Sequence, residues 1–462
     1  MTLALRAPGI EAACRTRSGR YKSGKPDPKG GAQIFITMKN TKFYPWLVVL
    51  LLWLVALLNY MDRQMLSTMK PAMMMDIGEL VSAENFGRLM AVFLWIYALM
   101  SPISGIIADR LNRKWLIVGS LFVWSLVTLL MGYAQTYDQI YWLRALMGVS
   151  EAFYIPAGLS LIADYHDGKT RSIAIGIHTT GIYLGQAFGG FGATISEAFS
   201  WQSTFHWFGL LGVVYSFVLV VFLKEKKGYN VQKAKETSIL REFALSFKGV
   251  GMLLGNISFW VLLFYFSAPS LPGWATKNWL PTLLSDSLHL PMSEAGPLAT
   301  ITMAMASFAG VLVGGLLSDK WVQRHLKGRI FTGVIGLSLT IPALLLLAYG
   351  HSFTTVLSGA LLFGLGFGMF DVNNMPILCQ FVSARYRATG YGLMNLVGIS
   401  SGAVITNWLG KSADAGHLSS DFAFLGIVVV IAIVLQLVVL RPKTVNMTED
   451  KDEFDTKKEP IL

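Results

Sequence analysis

Two opposite charges stand in a stretch of the chain that has the apolar pattern of a membrane helix. Arg144 and Glu151 lie seven residues apart in YWLRALMGVSEAFYIPA, Tyr141–Ala157. Seven residues are almost two helical turns, so we expect both side chains on nearly the same face. A charge at the centre of a membrane helix costs about 2.5–3.5 kcal/mol on insertion scales, so it faces a bundle interior or a water-filled path. The pattern predicts a route for substrate and protons; the alternative is a structural ion pair between neighbouring helices.

A second pair of charges falls in the first apolar run of the chain. Asp62 and Arg63 are adjacent, so helix geometry turns their side chains about 100° apart and prevents a simple pair between them. We expect one to face a cavity and the other to pack against a neighbouring helix. A carboxyl group in a low-dielectric site can take up a proton, and an arginine can grip a carboxylate with two parallel hydrogen bonds. This is the chemistry of symport of an anion with a proton; alternatively, Asp62 is a structural or capping acid, since Pro71 follows.

A third acid interrupts the apolar run FGLGFGMFDVNNMPILCQF. Asp371 precedes two asparagines and the helix-breaking Pro376. An ionisable residue at such a place is by default a functional hypothesis. Three functional interpretations are open: a further proton site, a sodium ligand, and a partner for substrate hydroxyl groups. The structural alternative is a hydrogen-bonded kink.

Further polar and aromatic side chains in apolar runs are candidates for binding a substrate. Tyrosines can donate hydrogen bonds to a carboxylate or a sugar hydroxyl, and a tryptophan can stack on a sugar face, although a membrane histidine or tyrosine often only packs. We expect Lys277 to lie towards the end of its helix, where its side chain can snorkel to the surface. The candidates are Tyr60, Tyr97, His178, Tyr183, Trp274 and Asn374.

The composition requires that these residues be positioned by membrane helices. Of the 462 residues, 53% are hydrophobic and 14% are charged, against about 25% charged in a soluble domain. Apolar runs of about 20 residues each are long enough to span a bilayer. The sequence contains twelve such runs, at about 44–69, 85–108, 115–134, 139–165, 171–194, 201–223, 256–284, 294–318, 330–350, 353–382, 387–410 and 420–441.

A polar, basic segment that begins KEKKGYN separates two sets of six spans. We therefore predict an all-α integral membrane protein with twelve transmembrane helices in two six-helix bundles related by pseudo-two-fold symmetry. The predicted parts are a basic disordered tail at 1–37, an N-terminal bundle at 38–223, a cytoplasmic linker at 224–255, a C-terminal bundle at 256–441 and a disordered tail at 442–462.

The distribution of lysine and arginine predicts the orientation of the chain in the membrane. Basic residues cluster in the loops after spans 2, 4, 6, 8 and 10, whereas the opposite side carries mainly Lys70, Arg88 and Lys411. The positive-inside rule then places both termini in the cytoplasm.

A short motif recurs after spans 2 and 8. The first copy reads GIIADRLNRK, Gly105–Lys114, and the second reads GLLSDK, Gly315–Lys320. The glycine lets helices approach closely, and the acid can accept hydrogen bonds from a neighbouring helix end or pair with an arginine. We predict a conformational latch formed by Gly105, Asp109, Arg110, Arg113 and Asp319.

The first copy resembles the G-x-x-x-D-R-x-G-R-[RK] signature of the major facilitator superfamily, with Asn112 in place of the second glycine. Within that superfamily, three strings resemble the anion:cation symporter family, which contains bacterial sugar-acid transporters and sialin. They are Asn59-Tyr60-Met61-Asp62-Arg63, Arg144…Gly148…Glu151-Ala152 and Trp279-Leu280-Pro281-Thr282. The first string also occurs in spinster-like lipid transporters.

The resemblance implies that spans 1, 4, 7 and 10 line a central cavity. It implies that Asp62 and Glu151 are protonatable and that Arg63 or Arg144 grips the substrate carboxylate. It also implies that Asn395 in span 11 lies near the substrate. We expect a monomeric secondary transporter in the lipid of a bacterial-type inner (plasma) membrane, importing a sugar acid such as a hexuronate, an aldonate or sialic acid by proton symport with alternating access. The alternatives are a spinster-like lipid or lysolipid transporter, a sodium-coupled anion symporter, and a non-transporting membrane sensor on the same fold.

Other classes of protein find no support in the sequence. It contains no GxxxxGK[ST] loop for ATP, no metal-ligand cluster and no nucleophile motif, so we expect neither enzyme activity nor a cofactor or metal. The net charge of +11 reflects basic loops on an apolar body, so we expect no nucleic-acid partner.

Overall fold

The computed structural model describes residues 43–166, 170–226, 250–382 and 386–440. These residues form long helices at the twelve predicted places, which we number as spans 1–12. Three of the spans are each made of two consecutive helices. The spans are, in order, Tyr44–Leu66; Ala83–Arg110; Arg113–Met131; Tyr137–Glu151 with Tyr154–Tyr165; Arg171–Gly189 with Gly192–Ala198; Trp201–Phe222; Ile257–Leu288; Met292–Val322; Gly328–Tyr349; Phe353–Asp371 with Asn374–Phe381; Arg387–Asp414; and Leu418–Val439.

Nine of the described spans are long and apolar enough to cross a membrane by length and composition alone. Spans 5, 7 and 11 lie outside this set because serine, threonine, glycine, proline and tryptophan lower their mean hydropathy. The expectation of an all-helical membrane protein is confirmed. The predicted tails at 1–37 and 442–462, and the greater part of the predicted linker at 224–255, lie outside the described residues.

The spans pack in corresponding ways in the two halves of the chain. Span 1 packs on span 5 and span 3 on span 6, while span 7 packs on span 11 and span 9 on span 12. The halves meet along two seams, one between spans 2 and 11 and the other between spans 5 and 8. This arrangement agrees with a pseudo-two-fold relation; the exact bundle limits 38–223 and 256–441 stay a prediction.

The halves are in close contact at the end of the molecule opposite the basic loops. On one seam, the carboxylate of Asp414 accepts hydrogen bonds from the backbone N–H groups of Ala83 (2.7 Å) and Glu84 (2.9 Å), which caps the N-terminus of span 2 across the seam. On the other seam, a Cβ added to Gly190 would lie 2.8 Å from the backbone oxygen of Gly296. Only glycine permits this approach of spans 5 and 8.

The same seams are looser towards the basic loops. A Cβ added to Gly105 in span 2, or to Gly176 in span 5, would meet no atom of the described residues within 4 Å. Asp371 at the break of span 10 and Tyr391 in the first turns of span 11 are exposed. The central cavity therefore opens towards the end of the molecule that carries the basic loops.

Candidate functional site

Arg63 and Glu151 form an ion pair between spans 1 and 4. The Nε of Arg63 donates to Oε2 of Glu151 at 2.5 Å, and the exposed fractions of the two side chains are 13% and 0%. The guanidinium also lies over the rings of Tyr60 (4.9 Å), Phe93 (4.9 Å) and Tyr97 (4.5 Å). An ion pair and three cation–π contacts hold Arg63 at the wall of the central cavity.

Asp62 faces the interior of the N-terminal half. Its Oδ2 accepts a hydrogen bond of 2.5 Å from the hydroxyl of Thr128 in span 3, and the side chain is buried. Asp62 and Arg63 therefore turn towards different neighbours, as expected of adjacent helix positions. The second oxygen of Asp62 is buried and has no hydrogen-bond partner among the described residues, so this acid is poorly compensated as a carboxylate.

Arg144 lies behind the wall of the cavity. Its guanidinium is 4.8 Å from the centre of the Phe93 ring, and the residue is buried. The sequence offered Arg144 as the charge on the same helix face as Glu151, whereas the close partner of Glu151 is Arg63. The four groups Asp62, Arg63, Arg144 and Glu151, which we call the N-terminal charge cluster, carry no net charge when all are ionised.

Span 4 is broken at Glu151 for a reason that is visible in the sequence. The first helix ends at Glu151 and the second begins at Tyr154. Pro156 has no N–H to donate to the carbonyl one turn earlier, so the helix cannot continue unbroken through this position. Just before the break, a Cβ on Gly148 would lie 2.8 Å from the backbone oxygen of Phe93, so this glycine permits the approach of spans 2 and 4 that brings Phe93 between the two arginines.

Asp371 lies at the corresponding break of span 10, where one helix ends at Asp371 and the next begins at Asn374. The acid is exposed to the cavity and accepts a hydrogen bond of 3.0 Å from the side chain of Asn374, which is itself buried. Lys277 in span 7 is the cation that acts on Asp371. Tyr183 of span 5 and Tyr391 of span 11 are within electrostatic range of the same carboxylate.

The sequence predicted that the side chain of Lys277 snorkels to the surface, but in the structure it does not. Its ammonium lies over the rings of Trp274 (4.9 Å) and Phe367 (5.9 Å), and it lines a cavity of about 30 Å³ between the halves together with Gln64 and Gln186. The expectation was wrong because span 7 continues to Leu288, which places the lysine well inside the span. The sequence feature that indicated a lysine inside the span is Trp274, which lies almost one turn before Lys277 on the same face of span 7 and packs under its ammonium.

The remaining predicted binding residues have different neighbours in the structure. Tyr60 and Tyr97 surround Arg63, and the ring of Tyr183 packs edge-on against Phe308 of span 8 at 5.9 Å. Trp274 packs closely on Gly402 of span 11. Asn395 is partly exposed, next to Tyr391.

His178 is the candidate that lies away from the cavity. It is fully buried, and its Nε2 is 2.8 Å from the hydroxyl oxygen of Tyr154. That hydroxyl donates to the backbone oxygen of Leu52 at 2.6 Å, so the histidine nitrogen is the donor to Tyr154. His178 thus stabilises the packing of the N-terminal half, and we leave it out of the proposed site.

The predicted latch residues pair within the halves where the structure describes them. Arg113 of span 3 forms an ion pair with Asp164 of span 4, and Asp319 lies 3.8 Å from Arg329 at the start of span 9. The side chains of Asp109 and Arg110 lie outside the described part of the chain. A latch between the halves at this end stays a prediction.

Comparison with known proteins identifies the family. The sequence model of the Major Facilitator Superfamily matches residues 52–407. The chain is 28% identical to the 4-hydroxybenzoate transporter PcaK of Pseudomonas putida, over 82% of this chain and 88% of the relative. It is 24% identical to the probable galactarate/D-glucarate transporter GarP of Escherichia coli K12 (86% and 94%) and 25% identical to the hexuronate transporter of Bacillus subtilis (85% and 95%).

Solved structures agree with the fold. A bacterial homolog of the human lysosomal transporter Spinster, in an inward-facing and occupied conformation, matches with a TM-score of 0.69 at 21% identity, over 86% of this chain and 97% of that one. The nucleoside transporter NupG matches with a TM-score of 0.68 at 14% identity, over 85% and 100%. With the family match over most of the chain, the protein belongs to the Major Facilitator Superfamily of secondary membrane transporters.

Proposed function

We propose that the protein imports a small organic anion, specifically a sugar acid, by proton symport. The observation that carries the proposal is the pair Arg63–Glu151 at the wall of the cavity. A guanidinium is suited to a carboxylate, and the acid that now occupies it can be neutralised by a proton.

The proposed coupling is an exchange of partners at Arg63. With Glu151 ionised, the arginine is occupied and the site has little affinity for an anion. A proton on Glu151 weakens this pair, and the substrate carboxylate takes its place. The Nη2 of Arg63 supports this exchange of partners, because it is buried and has no hydrogen-bond partner in the described structure. An unmade hydrogen bond of this kind costs about 1–3 kcal/mol, which a substrate carboxylate would recover.

In this scheme Asp62 is the second proton site and Arg144 stabilises the charges behind the wall. Asp62 accepts a hydrogen bond from Thr128 and has no ion-pair partner among the described residues, so its protonation changes the charge of the cluster without breaking an ion pair. Arg144 lies against Phe93 on the buried side, so we assign the direct grip on the anion to Arg63 and a supporting role to Arg144.

Several features favour a sugar acid over other carboxylates. Four relatives are named for the transport of galactarate and D-glucarate, L-galactonate or hexuronate, whereas PcaK is named for an aromatic acid; a carboxylate is common to all. Around the cavity, the side chains of Asn374 and Asn395 can bind hydroxyl groups, and Trp274 holds the ammonium of Lys277 over its ring.

The orientation follows from the basic loops. We propose that both termini lie in the cytoplasm of a bacterial-type inner membrane, so that the cavity described above opens inwards. The protein would act as a monomer, with one bundle from 38–223 and the other from 256–441.

The other candidate functions are less well supported. A lipid substrate is disfavoured by the charged groups of the cavity wall, Arg63, Lys277 and Asp371, which offer an acyl chain no apolar surface. Sodium coupling through Asp371 remains the alternative for the second ion. A non-transporting sensor has no need of an acid and an arginine arranged to exchange partners.

The test is uptake of labelled sugar acids by the purified protein in proteoliposomes, with and without an inward proton gradient. We expect the gradient to drive accumulation of at least one acid, and Glu151→Gln to abolish accumulation while leaving exchange of substrate across the membrane. Arg63→Ala should abolish both. Glu197→Gln, which alters an exposed acid outside the cavity, serves as the control. Uptake that follows sodium and ignores Glu151→Gln would contradict the proposal.

A further inference from the structure

Two cations from different halves of the protein face the central cavity. Arg63 comes from span 1 and Lys277 from span 7. The spans touch at this level, since the side-chain amide of Gln64 donates to the backbone oxygen of Lys277 at 2.8 Å. The two positive charges act on each other, so a ligand that bridges them would relieve a repulsion as well as make new contacts.

The two cations differ in their partners within the protein. Arg63 is occupied by Glu151 at 2.5 Å. The ammonium of Lys277 has the faces of Trp274 and Phe367 but, within the described part of the chain, neither a hydrogen-bond acceptor nor a carboxylate at ion-pair distance. An ammonium group has three N–H donors, so Lys277 has donors available for a ligand that enters the cavity.

The charges of the region suggest what that ligand is. When all are ionised, three acids balance three cations: Asp62, Glu151 and Asp371 against Arg63, Arg144 and Lys277. A proton on Glu151 frees Arg63 for one carboxylate, and a proton on Asp371 leaves Lys277 without its counter-charge and open to a second. Each half therefore offers one acid and one cation to one end of a substrate.

We propose that Lys277 binds a second carboxylate, and that the preferred substrate is a dianionic sugar acid whose two ends reach Arg63 and Lys277. This inference rests on the proposed function and narrows it to a substrate class. Asn374 donates to Asp371, and its side-chain oxygen, which has no partner among the described residues, can accept a hydrogen bond from a hydroxyl group of the substrate.

The experiment uses two substrates that differ in a single group. A six-carbon aldarate carries a carboxylate at both ends, and the aldonate of the same stereochemistry carries an alcohol at one of them. Initial rates of proton-driven uptake and half-saturation concentrations for both are measured with the full chain in proteoliposomes. The wild type should take up the aldarate with the lower half-saturation concentration.

Three variants separate the role of the lysine from general damage. Lys277→Met keeps the length of the side chain and removes its charge. It should raise the half-saturation concentration for the aldarate roughly 10- to 100-fold, which corresponds to the loss of one charge-assisted hydrogen bond. The half-saturation concentration for the aldonate should change less than about threefold. Lys277→Arg keeps the charge and should retain most of the preference. Lys224→Met, an exposed lysine at the end of span 6, should behave as wild type.

The outcomes distinguish this inference from the function on which it rests. If the wild type transports the aldonate but not the aldarate, or if Lys277→Met impairs both acids equally, Lys277 does not bind a second carboxylate, although sugar-acid transport stands. If Lys277→Met impairs neither acid, the inference fails in the same way. If no acid moves under any proton gradient, both proposals fail.

Discussion

Spans 4 and 10 break at corresponding places, but the two breaks are surrounded by charge in different ways. Glu151 and Asp371 each end the first helix of a span, and each is followed five positions later by a proline, Pro156 or Pro376. Glu151 is fully buried and paired with Arg63. Asp371 is exposed to the cavity, and among the described residues its one hydrogen-bond partner is the amide of Asn374.

The difference suggests a division of labour between halves that share one architecture. In the N-terminal half, Glu151 and Arg63 form an ion pair, so we expect a proton on Glu151 to change the contacts of the cavity wall. In the C-terminal half, Asp371 and Lys277 remain apart and accessible, so they can adapt to the ligand. The first arrangement suits coupling to protons, and the second suits recognition of the substrate.

The largest effect should follow from breaking the pair in the N-terminal half. Arg63→Ala leaves Glu151 buried without a partner, which we expect to lower the free energy of unfolding by about 3–5 kcal/mol. The double variant Arg63→Ala/Glu151→Gln removes both charges and should recover most of this loss. Thermal unfolding in detergent measures both, and equal stability of the single and double variants would argue against a buried pair.

A smaller loss of stability should follow when the hydrogen bond from Thr128 to Asp62 is removed. Thr128→Val keeps the shape of the side chain and removes the hydroxyl that donates to the carboxylate, and we expect it to lower the free energy of unfolding by about 1–3 kcal/mol. Thr128→Ser retains the donor and is the matched control. If valine and serine have the same effect in the unfolding measurement, the hydrogen bond does not stabilise Asp62.

The smallest effect on stability should be that of Asp371→Asn. The side chain is exposed, so we expect a change within about 0.5 kcal/mol, in contrast to the loss at Arg63. The same unfolding assay tests this prediction. A loss as large as that of Arg63→Ala would show that the C-terminal acid is structural, and the contrast between the two breaks would disappear.

The sequence predicted the helices better than the contacts between them. Span 6 was expected at 201–223 and runs from Trp201 to Phe222, because the length of an apolar run is set by the bilayer. The partner of Glu151 was not predictable in this way. Arg144 is on the same helix face by spacing, but Arg63 of span 1 is the residue that reaches the acid, because the rotation and packing of span 1 decide the pairing.

Lys277 and His178 illustrate the same limit in opposite directions. The lysine was expected at the surface and lies in the cavity, because a span that extends to Leu288 places it deeper than the apolar run indicated. The histidine was a candidate for the site and packs on Tyr154. The side of a glycine-rich helix that faces a cavity cannot be recognised from its pattern of apolar residues alone.

The most direct test of the exchange of partners at Arg63 is the number of protons that the purified protein takes up when the substrate binds. A pH indicator in weakly buffered detergent solution reports this number for the wild type, Glu151→Gln and Asp371→Asn. We predict proton uptake by the wild type on addition of the sugar acid, and a loss of about one proton per protein in Glu151→Gln. Unchanged proton uptake in Glu151→Gln, with substrate binding intact, would contradict the mechanism.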